Sequence, residues 1–138
     1  MEKKTKKGFV GKIEKDTLKN KDFRRVLYTG KYSQLVLMSL KPGEEIGEEV
    51  HEDVDQFFRF EEGKGLVVID GVEHEVKDGV AVVVPSGARH NVINTSKKKD
   101  LKLYTIYSPP EHQDGTVHKT KQEAMEQEEH YDGRPTEP

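Results

Sequence analysis

The chain has no cysteine and no tryptophan, and five tyrosines and five phenylalanines are the only aromatic side chains among its 138 residues. Without cysteine there are no disulfides, thiolate ligands or cysteine nucleophiles, so a bound metal has only His, Asp, Glu, Asn or Gln to hold it. No apolar run approaches the roughly 18 residues of a membrane-spanning helix. No apolar stretch follows the basic start Met1-Glu-Lys-Lys-Thr-Lys-Lys either, so it does not read as a secretory signal. The expected address is the cytoplasm, with no membrane partner. Strict hydrophobics make up 32% and charged residues 36%, enough for one compact core in a single domain with modest tails.

The net charge of −3 is unevenly placed. Residues 1–25 hold ten Lys/Arg against four Asp/Glu, and residues 111–138 hold three against eight. Both ends read as solvated, polar segments. The basic end carries no recognition motif and no aromatic platform beyond Phe9, so nucleic acid is not an expected partner.

From Phe23 to Tyr107 short alternating runs are separated by turn signals, the spacing of an all-β sandwich or barrel. Phe23–Thr29 and Ser33–Leu40 flank Gly30-Lys-Tyr, Pro42-Gly43 marks a turn, and Asp55–Glu61 and Gly65–Asp70 follow. Asp70-Gly71 is a tight hairpin signal, since glycine accepts the positive φ such a turn needs. Val72–Val76, Val80–Val84, Arg89–Asn94 and Leu101–Tyr107 complete the strands, and Pro109-Pro110 ends the β region. Helix-forming composition is confined to Lys119–His130, which predicts a short terminal helix. The predicted organisation is a basic extension with an added strand over 1–22, a barrel over 23–110, and a loop, short helix and disordered tail over 111–138.

Two blocks carry the chemistry. The first is Gly43-x5-Glu49-x-His51-x4-Gln56-x6-Gly63, and the second is Gly79-x5-Pro85-x-Gly87-x2-His90-x3-Asn94. Strand alternation puts Glu49 and His51 on one face, and His90, Val92 and Asn94 on another. If those faces line a barrel interior, Glu49, His51, Gln56 and His90 converge. Two imidazoles, a carboxylate and an amide oxygen suit a divalent transition metal such as Zn, Mn, Fe, Ni or Co, with positions left for water or substrate. An inward Glu49 itself calls for a nearby cation, because an unpaired buried carboxylate is costly. Gly79, Pro85 and Gly87 read as turn-forming residues.

The paired blocks resemble the two motifs of the cupin superfamily over roughly residues 35–108. The second block matches at every fixed position. The first departs twice, with Glu49 where a histidine usually stands and Gln56 where a glutamate does. The resemblance implies a double-stranded β-helix, or jelly-roll, barrel, and an N-terminal strand through which such small proteins pair, hence a homodimer. It also implies a ligand set similar to that of phosphomannose isomerases, with Glu and Gln exchanged. The function expected is a metal-dependent enzyme acting on a sugar or other small polar metabolite, isomerase-like, with Glu49 and Tyr107 as catalytic candidates and Glu49, His51, Gln56 and His90 as ligands. An Fe or Mn dioxygenase and a non-catalytic metal- or sugar-binding module are the alternatives, since one fold hosts many chemistries.

Other residues complete the expectation. Gln56, Phe58 and Phe60 share a face, placing two phenylalanines inside the barrel as a pocket wall. Leu101, Leu103, Thr105 and Tyr107 face inward on the last strand, bringing the Tyr107 hydroxyl near the mouth. His74 is open to a surface or an inward placement. Glu111–His118, with His112 and His118, reads as a loop that could lie over the mouth.

Overall fold

Alternation of side chains along the strands sorts this chain into an inside and an outside. The structure is a computed structural model that describes residues 5–138, so residues 1–4 of the basic extension lie outside the described residues. Its elements are α1 (Ile13–Lys19), β1 (Arg24–Thr29), β2 (Gln34–Leu40), β3 (Glu49–Val50), β4 (Asp55–Glu62), β5 (Lys64–Ile69), β6 (Val72–Lys77), β7 (Ala81–Val84), β8 (Arg89–Asn94), β9 (Leu101–Ser108), β10 (Val117–His118) and α2 (Lys121–Glu126). A six-stranded sheet runs β10-β1-β2-β9-β4-β7 and a four-stranded sheet runs β3-β8-β5-β6. All pairings are antiparallel, as in the expected jelly-roll barrel.

Phe58 and Phe60 on β4, Val36, Met38 and Leu40 on β2, Leu101 and Leu103 on β9, and Val67 and Val92 on the opposing sheet fill the space between the layers. Each fully buried side chain of this size contributes about 1.5–3 kcal/mol. The turn Asp70-Gly71 takes positive φ at both residues, as a tight hairpin requires. Along β6 only Val76 is buried, because this strand is a sheet edge with cover on little of its length.

Two elements depart from expectation. Residues 13–19 form a helix instead of an added strand. Ile13, Asp16, Thr17 and Asn20 are the least exposed positions there, a spacing of three and four that suits a helix and that a strand could not present to one side. This helix lies on the outer face of the larger sheet, where Lys102 is buried and its Nζ donates to the Asn20 carbonyl. The terminal helix is shorter than Lys119–His130. Thr120 caps it, its Oγ1 accepting from the Glu123 amide at 3.1 Å, and it stops at Glu126 so that the chain can turn back. The expected disordered tail instead lies against β1, where the Thr136 amide donates to the Thr29 carbonyl at 2.8 Å and the Tyr28 hydroxyl donates to Glu137. Among the described residues no helix is long and apolar enough to cross a membrane.

Candidate metal centre

At one end of the barrel the inward positions turn polar. Gln56, Tyr107 and Gln34 stand side by side on β4, β9 and β2. From the other sheet, His90 on β8 is the cross-strand partner of Glu49 on β3. His51 follows β3 directly, and its carbonyl accepts a hydrogen bond from the Gly87 amide at 2.8 Å. The turn that ends β7 therefore also fixes a candidate ligand. Gly87 holds φ +84°, a conformation in which a side chain would be strained.

Glu49 Oε2 lies 2.8 Å from His51 Nε2, yet that buried nitrogen has no hydrogen-bond partner, because the ring direction misses the carboxylate. A nitrogen and a carboxylate in contact without hydrogen-bond geometry are arranged as two ligands sharing a cation would be. His90 repeats the pattern. Its Nδ1 sits 3.1 Å from the Ala88 carbonyl, which only accepts, so Nδ1 carries a proton and Nε2 is the nitrogen that faces the centre. Facing Nε2 at 3.2 Å is Gln56 Oε1, whose amide nitrogen donates to Thr105 Oγ1 at 3.0 Å. Either a proton on Nε2 or a cation shared by the two atoms joins this pair. One donor atom each of Glu49, His51 and His90 lies within 4.8 Å of the others, so this group could hold a metal ion. Gln56 is placed beside it as a neutral oxygen donor.

The charges are consistent with this role. Burial alone would raise the Glu49 carboxyl, but the contact with His51 and the charges of His51, Arg24 and His90 outweigh burial and hold it below the usual carboxylate value. The Glu49 contact raises His51 above the usual histidine value against the opposing effect of burial, and Glu111 adds to the rise.

The mouth is covered by the segment that follows β9. Glu111 Oε1 approaches His51 Nδ1 to 3.7 Å. Gln34 clamps the segment, with its Nε2 donating to the His112 carbonyl at 2.7 Å and its Oε1 accepting from the His112 amide at 3.0 Å. His112 Nδ1 donates to Glu129 Oε1 at 2.7 Å, since an ionised carboxylate only accepts, and its Nε2 is 3.2 Å from the Tyr107 hydroxyl. Tyr107 is 2% exposed, and burial pushes its phenol well above the usual value. Its ring meets His51 edge-on at 6.0 Å between centroids. Phe58 likewise meets the His90 ring at 6.3 Å, and so forms the floor of the centre.

His74 is exposed on β6 and takes no part. His118 is buried beside Arg24. Glu111 and His112 lie over the mouth, as the loop expected of Glu111–His118 would, whereas Gln34, Arg24 and Glu129 did not stand out in the sequence. The inward parity of Gln34 with Val36 was available as a signal; the approach of Glu129 was not, because it depends on the path of the chain after Pro110.

Comparison with known proteins follows from this geometry. The family model described as a cupin domain matches residues 36–107. The chain is 49% identical over 125 residues to the uncharacterized protein YrkC of Bacillus subtilis, covering 86% of this chain and 67% of that one. It is 43% identical over 112 residues to the uncharacterized protein L612 of Acanthamoeba polyphaga mimivirus, covering 79% and 70%. The crystal structure of BH2720 from Bacillus halodurans superposes with a TM-score of 0.85 at 47% identity, covering 88% of this chain and 96% of that one.

Proposed function

The chain belongs to the cupin family, and from that premise we propose that it is a metal-dependent enzyme that moves a proton on a sugar or other small polar metabolite, an isomerase-like reaction. The observation that carries this reading is the convergence of Glu49, His51 and His90, with His51 Nε2 left without a hydrogen bond. A divalent cation held by these three, with Gln56 as a fourth donor, would supply Lewis acidity toward a carbonyl or hydroxyl oxygen. The metal is one of Zn, Mn, Fe, Ni or Co, and the ligand set would correspond to that of phosphomannose isomerases with Glu and Gln exchanged.

The chain's own groups do the rest. Ala88 fixes the His90 tautomer and Thr105 orients the Gln56 amide, so both donors are aimed before anything binds. Glu111, on the Nδ1 side of the His51 ring and away from Glu49, is placed to orient that ring, and Glu49 is the carboxylate at the centre suited to carry a proton. The Tyr107 hydroxyl, held 3.2 Å from His112 Nε2, stands at the mouth as a hydrogen-bonding group for a substrate hydroxyl. The segment that follows β9 covers the Tyr107 and His112 side of the mouth, where burial strengthens their contact.

A second reading, an Fe or Mn dioxygenase, is favoured by the same two histidines and one carboxylate, a set that also suits oxygen activation. The test loads the protein with each of the five metals and assays aldoses and hexose phosphates for aldose–ketose conversion, and oxygen uptake in parallel. Conversion in the wild type that is lost in Glu49→Gln and His90→Ala supports the isomerase reading. Oxygen uptake without conversion assigns the second reading, and saturable sugar binding with neither activity assigns a binding module.

A further inference from the structure

Among the described residues Arg24 is a buried cation with no ion pair. Strand register places it in the inward row with Met38, Leu103 and Phe60, and it is 8% exposed. Its Nε is buried without a hydrogen-bond partner. Among the described residues its one hydrogen bond runs from Nη1 to His118 Nδ1 at 3.4 Å. Its guanidinium also lies over the Phe23 ring, 5.3 Å from the centroid. A neutral imidazole and an aromatic face hold the group in place without cancelling its charge. Burial and Arg24 itself keep His118 below the usual histidine value, so His118 stays an acceptor.

The guanidinium is buried on the inward side of β1, and its charge reaches the candidate ligands. Its charge bears on Glu49, His51, Tyr107 and Glu129. Glu49 and Glu129 are carboxylates whose ionised form it favours, and neither forms an ion pair with it. Once a cation takes up the Glu49 charge, that attraction weakens, and a buried arginine without a counter-charge is costly. We propose that Arg24 is the anion-recognition residue of this site and that the substrate is a small carboxylate, its acid group on the Arg24 fork and its reacting carbon at the centre. This rests on the metal-centre reading above and names its substrate class. A single guanidinium matches one carboxylate in charge and in planar, two-pronged geometry. A phosphate dianion would ask for further donors, and no second buried cation pairs with Arg24 here: Lys102, the other buried cation, lies on the outer face under α1.

The test is calorimetric titration of the metal-loaded protein with sodium lactate, its neutral analogue lactamide, and inorganic phosphate, with metal content measured in every sample. The proteins are wild type, Arg24→Gln and Arg24→Lys, each checked for an intact melting transition. Lactate affinity should fall about ten- to a hundredfold in Arg24→Gln, the span of one charge-assisted contact, and return only in part in Arg24→Lys. Lactamide binding and metal content should not change. Equal lactate affinity in wild type and Arg24→Gln at equal metal content overturns the proposal, as does a wild type that binds no lactate. Phosphate bound in preference to lactate, with the same dependence on Arg24, overturns the carboxylate assignment. If the wild type takes up no metal, the metal reading fails by itself, while the same titrations on metal-free wild type and Arg24→Gln still decide the role of the guanidinium.

Discussion

Glu129→Ala should open the cover of the site without unfolding the barrel. Glu129 receives two hydrogen bonds at 2.7 Å, one from His112 Nδ1 and one from the Gln113 amide, and its side chain is 14% exposed. Bonds to a charged group contribute about 1.5–3 kcal/mol each where burial limits screening, and removing one partner leaves the others to find water. Because the freed Gln113 amide can reach solvent, a net loss of about 2 kcal/mol is expected for the segment, a factor of about 30 in its opening equilibrium. Native-state hydrogen exchange reads this directly: amides of His112, Gln113 and Tyr131 should exchange about 30 times faster, while those of β4 and β9 stay protected. The sign with pH follows from the carboxyl. Burial opposes ionisation, but the His112 contact and charge and the Gln113 amide outweigh it, so Glu129 lies below the usual carboxylate value of 4.5. Its contribution is thus present above that value and disappears as pH falls through the lower, folded one. Unchanged exchange at His112 and Gln113 in Glu129→Ala would refute the reasoning, as would faster exchange spread over the whole barrel.

Other outcomes are equally open to measurement. Phe58→Ala empties a position 1% exposed against Phe60 and the His90 ring, and should cost about 3–5 kcal/mol, a drop of roughly 10–15 °C in thermal melting, with weaker metal binding as His90 loses its floor. Gly65→Ala should abolish soluble expression or lower melting more than Phe58→Ala does, because its Cβ would clash with the Ile93 carbonyl oxygen, a backbone atom held in the β5–β8 ladder. Metal affinity should rise with pH through the raised value of His51, whose proton must leave before its ring can ligate; pH-independent affinity between pH 6 and 8, measured by competition with a chelator, would contradict this.

Period-two alternation made the barrel legible. Gln56, Phe58 and Phe60 on β4, and Leu101, Leu103, Thr105 and Tyr107 on β9, face inward as their parity required. Asp70-Gly71 marked its hairpin for the same local reason. Spacing also brought Glu49, His51, Gln56 and His90 to notice, and the register of β3 on β8 explains why residues 41 apart meet. Elements decided by distant partners were not legible. The seven-residue α1 is too short to stand alone and is held by the sheet it covers, with Lys102 beneath it. A loop over the mouth was readable at Glu111–His118, but the clamp that holds it, Gln34 reaching across 78 residues to His112, was not, and Arg24 was only one charge in a basic N-terminus until its strand turned it inward.

The central claim is that Glu49, His51 and His90 bind one divalent metal ion. Elemental analysis of protein purified without added metal, after exposure to limiting metal and desalting, tests it most directly. The account predicts about one equivalent per chain in the wild type and near-zero content in His51→Ala and His90→Ala, with both variants folded. A folded wild type that holds no metal, or variants that hold as much as the wild type, would contradict it.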